Sequence, residues 1–369
     1  MSKEIEQIKD RLDIVDLVGS YVKLDKAGKN YKAKCPFHGE KTPSFMVSPE
    51  RQSFYCFGCQ AKGDIFEFVQ KFEGLEFKEA LKILAERTGV ELKQYKQENK
   101  DEESKKERLL KVLEEATQIY ENLLGCGNQM STNEEVMKYL EDRGLKEETI
   151  KKWRIGWAPL EWRTILNELI TKGFKEGALL DAGLVKKTED KTKTYDVFRG
   201  RIMFPIFDIS GRVIAFSGRI FIPQGASLVT KEPPWGEAPK YVNSPETELF
   251  KKSETLYGLH LAKSEIRRLD YTVLVEGQID LVLSHQAGVK NTVASSGTAL
   301  TESHLKKIQK LSNRCIIACD ADATGKAAAR RSGELALSLG MEVKIASLPA
   351  GEDPASIIQK SENEWKELL

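Results

Sequence analysis

The sequence predicts a multidomain α+β protein: a small N-terminal ribbon built around a metal, then a mixed α/β body whose last third is a parallel sheet flanked by helices. Three observations predict it. Cys35, His38, Cys56 and Cys59 form a C-x2-H pair and a C-x2-C pair separated by seventeen residues, a spacing suited to a tetrahedral zinc site closed by two tight knuckles. Residues 202–207 and 212–219 are largely apolar runs joined by Asp208-Ile209-Ser210-Gly211, which reads as a β-hairpin. From residue 271 onward, short apolar runs alternate with helical patterns, as parallel strands with helical crossovers do.

Composition sets the limits on this reading. At 369 residues, 40% hydrophobic and 31% charged, the chain has room for two or three globular domains. No apolar run approaches the ~20 residues needed to cross a bilayer, so no membrane role and a cytoplasmic location are expected. A net charge of +1 gives no nucleic-acid signal for the whole molecule, so any basic surface must be local. Cys126, Cys315 and Cys319 lack ligand spacing and are expected as reduced thiols, because nothing at the N-terminus looks like a secretory signal.

The ribbon is flanked by recognisable elements. Ile5, Ile8, Leu12, Val15 and Val18 fall at helical spacing and predict one amphipathic helix over residues 3–18. A strand is expected at Tyr31–Lys34, and residues 44–47 and 53–55 form a hairpin around a polar turn. Lys32, Lys34, Lys41, Arg51 and Lys62 surround Phe54, Tyr55 and Phe57. Cations for phosphates and aromatic faces for unpaired bases suit a single-stranded nucleic acid; the competing reading makes the aromatics a small core and the lysines its solvated surface.

Helices are expected between residues 66 and 90. The densely charged stretch 91–110 then marks a linker or an exposed helix start, with a domain boundary near residue 100. Further helices are expected at 107–125, 133–142 and 145–155, with Trp153, Trp157 and Trp162 as packing anchors. Around the central hairpin, Arg199, Arg201, Arg212 and Arg219 stand at strand starts and ends, where guanidinium groups can grip phosphates or simply solvate strand ends. Residues 239–247 form a polar loop that contains Lys240 and Asn243.

The last third carries the chemistry. Strand-like 271–275 ends at Glu276-Gly277, strand-like 316–319 ends at Asp320-Ala321-Asp322, and a third run at 343–346 precedes Asp353. Helices are expected at 279–287, 301–311 and 325–339. In parallel sheets the site lies beyond the carboxyl ends of the strands, where all four acids fall. Two ionised carboxylates ~4 Å apart repel by ~4 kcal/mol at an effective dielectric of 20, so such a cluster calls for cations. Magnesium, which takes one or two carboxylates and completes its shell with water and phosphate oxygens, suits it. For Asp322 and Asp353 the alternative is helix capping, and Asp280 can serve a helix dipole. His285 and His304 read as ordinary helix residues.

The segments Cys35-Pro36-Phe37-His38, Thr42-Pro43-Ser44-Phe45, Cys56-Phe57-Gly58-Cys59, Phe198-Arg199-Gly200-Arg201-Ile202-Met203-Phe204-Pro205, Lys240–Thr247, Leu256-Tyr257-Gly258-Leu259, Glu276-Gly277 and Asp320-Ala321-Asp322 resemble, in order and over nearly the whole chain, the bacterial replicative DNA primase family. The resemblance implies a zinc ribbon at 1–100 that engages template, an N-terminal polymerase subdomain at 101–260 and a TOPRIM-like catalytic subdomain at 261–369. It implies synthesis of RNA primers on single-stranded DNA from ribonucleoside triphosphates, with Glu276, Asp320 and Asp322 as catalytic residues that hold magnesium or manganese. Arg199, Arg201, Lys240, Asn243 and Lys252 would contact nucleotide phosphates or template. A replicative helicase is the partner that the family implies, although its binding domain is not recognisable in the sequence; a monomer or weak association is expected.

Two departures from the family pattern stand out: Ala321 and Gln60 occupy positions where glycine is common. Two other classes fit parts of the chain. One is a TOPRIM nuclease; the other is a zinc-dependent single-strand DNA-binding module with an inactive core.

Overall fold

The computed structural model describes residues 2–75, 77–92, 100–125, 130–222, 239–297 and 299–369. Cys126, and residues 93–99 within the charged linker stretch, lie outside them.

The helix expected over residues 3–18 is two helices, α1 (Ser2–Arg11) and α2 (Ile14–Gly19). Asp13 breaks the run. Its backbone is extended and its carboxylate accepts from Val15 N at 2.7 Å, an N-cap that starts a new helix. Gln52, from the ribbon hairpin, locks the break by donating to Asp13 Oδ2 at 2.6 Å and accepting from Ile14 N at 3.0 Å.

Strands β1 (Asp25–Ala27), β2 (Asn30–Ala33), β3 (Phe45–Ser48), β4 (Ser53–Cys56) and β5 (Lys62–Gly63) form an antiparallel meander in chain order. The expected hairpin is β3–β4, in register Phe45 to Cys56. Helices α3 (Ile65–Glu73) and α4 (Phe77–Thr88) close one face, and Ile8, Leu17, Phe45, Phe54, Phe68 and Leu84 make the core between them.

In the middle of the chain, α5 (Lys100–Gly125), α6 (Met130–Asp142) and α7 (Glu147–Lys152) precede β6 (Gly156–Ala158). The expected helix at 145–155 is therefore shorter, and the chain beyond it enters a strand that pairs Trp157 with Ile202. Glycine is needed at 156 because a Cβ there would come 2.5 Å from the Tyr120 carbonyl carbon of α5. After α8 (Thr164–Thr171), α9 (Glu176–Asp181) and the small pair β7 (Val185–Lys187) and β8 (Thr194–Asp196), the central hairpin forms as β9 (Arg201–Phe207) and β10 (Val213–Ile220). With β11 (Tyr241–Asn243) they make an antiparallel sheet in the order β11-β10-β9-β6. Trp153 and Trp157 are buried anchors, whereas Trp162 is 40% exposed.

The parallel sheet follows. After α10 (Leu259–Leu269), strands β12 (Thr272–Val275), β13 (Thr292–Ala294), β14 (Arg314–Ile317) and β15 (Glu342–Ile345) assemble in the order β13-β12-β14-β15, every pair parallel. Their connections are α11 (Gln278–Gln286), α12 (Glu302–Gln309) and α13 (Ala323–Ser338); α14 (Pro354–Lys360) and α15 (Glu362–Glu367) complete the chain. The ribbon module rests on α10. Lys263 Nζ pairs with the Glu73 carboxylate and donates to Ile209 O at 3.0 Å, and the buried Arg267 guanidinium donates to Phe72 O at the end of α3.

Candidate metal centre and acidic cleft

Two pairs of residues far apart in β2–β5 converge on one point. The ligand atoms of Cys35, His38, Cys56 and Cys59 all lie within 4.8 Å of one another, and among the described residues this is the one such group. Cys35 Sγ is 3.8 Å from Cys59 Sγ, and His38 Nδ1 is 3.8 Å from Cys56 Sγ. A tetrahedron with metal–sulfur bonds of about 2.3 Å has edges of about 3.8 Å, so the quartet fits zinc. Each knuckle bends around its own sulfur: Phe37 N points at Cys35 Sγ and Cys59 N at Cys56 Sγ, both at 3.4 Å. At Gly58 a Cβ would meet His38 Nε2 at 2.6 Å, which reserves that position for glycine.

One supporting residue was missed in the sequence. Glu40 accepts from Cys35 N at 2.6 Å and Ser44 N at 2.9 Å, and its other oxygen faces His38 Nε2 at 3.3 Å. A carboxylate on the far nitrogen of a ligating imidazole fixes its tautomer and orientation. Burial alone would raise the Glu40 carboxyl, but the donors from Ser44 and Cys35 and the nearby His38 hold it below its usual value. The signal was the acidic residue two places after His38, which carries no motif of its own.

The ribbon's aromatic face is smaller than expected. Phe54 belongs to the core, whereas Phe57 is 72% exposed and Tyr55 lies beside it. Cross-strand register places Lys32, Met46, Tyr55 and Lys62 in one row across the sheet, and partners in a row share a face. Lys32, Lys34, Lys41, Arg51 and Lys62 are all exposed.

The second site lies beyond the carboxyl ends of β12 and β14. A cavity of about 220 Å³ is lined by the acids Glu276, Asp280, Asp320 and Asp353, which come from the parallel-sheet part, and by Arg143, Arg219, Lys240 and Tyr241, which come from the part before it. Glu276 follows β12 directly, and Asp320 follows the run after β14. A Cβ on Gly325 would sit 2.3 Å from Asp320 O, so glycine at the start of α13 lets the helix close against the acid's backbone. Ala321, at the position where the family pattern leads one to expect glycine, is outside the left-handed region, and its N–H donates to Glu352 O at 2.9 Å, so its backbone conformation does not call for glycine.

The capping alternatives are realised. Asp322 caps α13 through Gly325 N at 2.6 Å and does not line the cavity; Asp353 caps α14 through Ser356 N at 2.7 Å and does line it. Asp280 joins two helix starts by accepting from Gly277 N at 3.1 Å and Ala355 N at 3.2 Å. Burial, then Glu276, Asp353 and Asp322, push Asp320 up to about 6, with Lys240 opposing. Burial, then Asp320 and Asp353, push Asp280 up to about 7. Glu276, Asp320 and Asp322 do not close into a tight ligand cluster of the kind the zinc quartet makes. Glu276 Oε1 is buried without a hydrogen-bond partner, an acceptor whose isolation costs ~1–3 kcal/mol or more when charged. Such an orphan suits a hydrated divalent cation, which takes only one or two carboxylates.

The basic wall keeps Lys240 from the expected set and Arg219 from the strand-end arginines, and adds Arg143. Arg219 donates to Tyr241 OH at 3.0 Å, with its guanidinium 5.3 Å from the Tyr139 ring centroid, and Arg143 donates to Tyr139 OH at 3.2 Å. Arg143 had no sequence signal. Arg199, by contrast, stacks on Trp162 at 4.2 Å, and Arg201 is buried, donating to Gly218 O at 2.9 Å and Pro239 O at 3.2 Å. Neither lines the cleft; Arg201 instead steadies the backbones that carry Arg219 and Lys240. Arg212 pairs with Asp208 on the surface at 2.7 Å. Asn243 and Lys252 border a separate cavity of about 10 Å³. His285 and His304 bond backbone carbonyls of Thr292 and Lys252, in keeping with structural roles. Cys315 and Cys319 are free thiols; burial, then Glu276, raises Cys319.

Comparison with known proteins agrees with this architecture. Residues 1–100 match the CHC2 zinc finger family, 126–263 the N-terminal domain of the DNA primase catalytic core, and 273–358 a Toprim-like family. The chain is 37% identical to a DNA primase of Clostridium acetobutylicum, with 98% of this chain and 57% of that protein covered. It is 39% identical to a DNA primase of Pseudomonas putida, with 96% and 52% covered. It thus spans little more than half the length of these curated relatives. Among solved structures, the zinc-binding and RNA polymerase domains of the Aquifex aeolicus primase are similar at 33% identity and a TM-score of 0.63, with 99% of this chain and 84% of that chain covered. A primase catalytic domain bound to single-stranded DNA is similar at 33% identity and a TM-score of 0.61, with 72% and 78% covered. A zinc quartet, an arginine-walled acidic cleft and a parallel sheet in this order, at that identity and coverage, make the chain a member of the DNA primase family.

Proposed function

We propose that the chain synthesises short RNA primers from ribonucleoside triphosphates on single-stranded DNA. The observation that carries this is the cleft of about 220 Å³, whose lining brings the strand-end acids Glu276 and Asp320 together with Arg143, Arg219 and Lys240. Phosphoryl transfer demands alignment and charge stabilisation more than a protein nucleophile. In this reading Arg143, Arg219 and Lys240 take the triphosphate, and Tyr139 and Tyr241 hold the two guanidinium groups in place. Glu276 and Asp320 would hold magnesium or manganese, with Asp353 and the capping Asp322 as outer acids. The cation, when bound, neutralises phosphate charge and polarises the attacked phosphorus. The ribbon's row of Lys32, Tyr55 and Lys62, with Phe57 beside it, supports a role in holding unpaired template bases.

We assign residues 1–100 to template engagement, 101–260 to the basic wall and 261–369 to the acidic wall. Arg199, Arg201, Asn243 and Lys252 then support the site rather than touch phosphate. The test is incorporation of labelled ribonucleotides on random-sequence single-stranded DNA with magnesium or manganese, beside Asp320→Ala. Short metal-dependent RNA that disappears in the variant is the expected result. DNA cleavage without incorporation would favour the nuclease class, and single-strand binding with neither activity would favour the binding module.

A further inference from the structure

One rung of the antiparallel sheet, buried at Ser217 and half-buried at Asn243, is tied to two segments that line the cleft. Ser217 on β10 and Asn243 on β11 are direct cross-strand partners. Ser217 Oγ accepts from Gln278 Nε2 at 2.7 Å, and Asn243 Nδ2 donates to Ser296 O at 2.8 Å. Gln278 stands two residues after Glu276, and Ser296 immediately precedes Gly297, which lines the cleft. Arg219 and Tyr241 form another rung of the same two strands, two residues along each. Side chains two apart in a strand share a face, so one face carries both the ties and the Arg219–Tyr241 part of the basic wall.

Two further features bear on the tie. Ser296 has φ +56°, a left-handed conformation that non-glycine residues hold only when their surroundings impose it. The cavity beside Asn243 measures about 10 Å³, roughly the least that admits a water and far too small for a phosphoryl group.

We propose that Ser217 and Asn243 are positioning residues that clamp the basic wall to the acidic wall at the spacing a metal–triphosphate group must bridge. This deepens the reading of the cleft as a metal–nucleotide site and rests on it. Asn243 acts through the Ser296–Gly297 loop, and its amide does not touch phosphate. Loosening either tie leaves each wall chemically intact but out of step with the other.

The test is ATP binding to the full chain, by calorimetry, in magnesium-free and magnesium-saturated buffer, for Asn243→Ser, Ser217→Ala and Asp320→Ala. Thermal melting and zinc content check folding, and Ser217→Ala, which removes a single hydroxyl, is the variant least able to disturb it. In both positioning variants the magnesium-linked gain in ATP affinity should shrink by about tenfold while magnesium-free affinity holds. A loss of magnesium-free affinity in Asn243→Ser, with Ser217→Ala silent, would make Asn243 a direct phosphate contact and overturn the proposal. A full magnesium-linked gain in both folded variants, with that gain lost in Asp320→Ala, overturns the clamp alone. Retention of the gain in Asp320→Ala overturns the cleft assignment, and the clamp falls with it.

Discussion

Glu40 lies 3.3 Å from His38 Nε2, on the side of the imidazole away from the sulfur ligands, while its other oxygen accepts the Cys35 backbone N–H at 2.6 Å. One carboxylate therefore orients a ligand from its ring and a second ligand from its backbone. Glu40→Ala should weaken zinc binding by about 10- to 100-fold, the usual cost of losing such support. Competition with a chromophoric chelator measures this; unchanged zinc retention would remove Glu40 from the centre.

Gln60 follows the last zinc cysteine with φ +61°. The left-handed conformation costs an ordinary residue ~1–2 kcal/mol, and glycine's greater chain entropy offsets about 0.5–1 kcal/mol of the relief. Gln60→Gly should thus stabilise the zinc-loaded ribbon by up to about 1.5 kcal/mol. A denaturation midpoint lower than that of the parent would contradict the argument.

Gly325, in the first turn of α13, packs directly against the backbone of Asp320. A methyl group there would meet Asp320 O at 2.3 Å and Asp320 N at 2.9 Å, so Gly325→Ala must displace one backbone or the other. Misplacement of a reacting geometry by ~1 Å can cost about a hundredfold in rate. Ribonucleotide incorporation should fall by that order with zinc content unchanged, and a fully active variant would show that α13 gives way instead of Asp320.

His260 is the clearest acid liability in the fold. Its ring lies 4.4 Å from Phe207, its Nδ1 is buried and unpartnered, and burial, then His285, Lys263 and Lys152, push it down to about 3. Below the ordinary value of 6.5 the unfolded chain binds a proton that the folded chain refuses, so stability is present above that pH and drains away as pH falls towards 3. His260→Phe removes both the orphan nitrogen and the titration. Its melting temperature should exceed the parent's by more at pH 5 than at pH 8; an equal difference at both would rule out His260 as the source.

Much of the fold was legible because its signals are local. Ligand pairs two residues apart, a hairpin around Asp208–Gly211 and acids directly after apolar strands lie within a few positions of one another. The elements that escaped are short or borrowed. Strands β6 and β13 have three residues each, too few for a pattern, and exist because β9 and β12 offer them partners. The division between α1 and α2 needs Gln52 as well as Asp13.

The sequence by itself determined the four ligands of the metal centre and the position of Glu276 and Asp320 after apolar strands, since backbone periodicity and ligand spacing need no distant partner. Only the tertiary structure decided which arginines face the acids. Arg199 and Arg201 sit in the more recognisable motif, yet one stacks on Trp162 and the other is consumed by Gly218 and Pro239 carbonyls, while Arg143 and Arg219 reach the cleft. A guanidinium looks the same in any sequence window. Its role is set by which carbonyls, rings and carboxylates the packing of two sheets brings within hydrogen-bond reach, and those contacts span far more of the chain than a local pattern can encode.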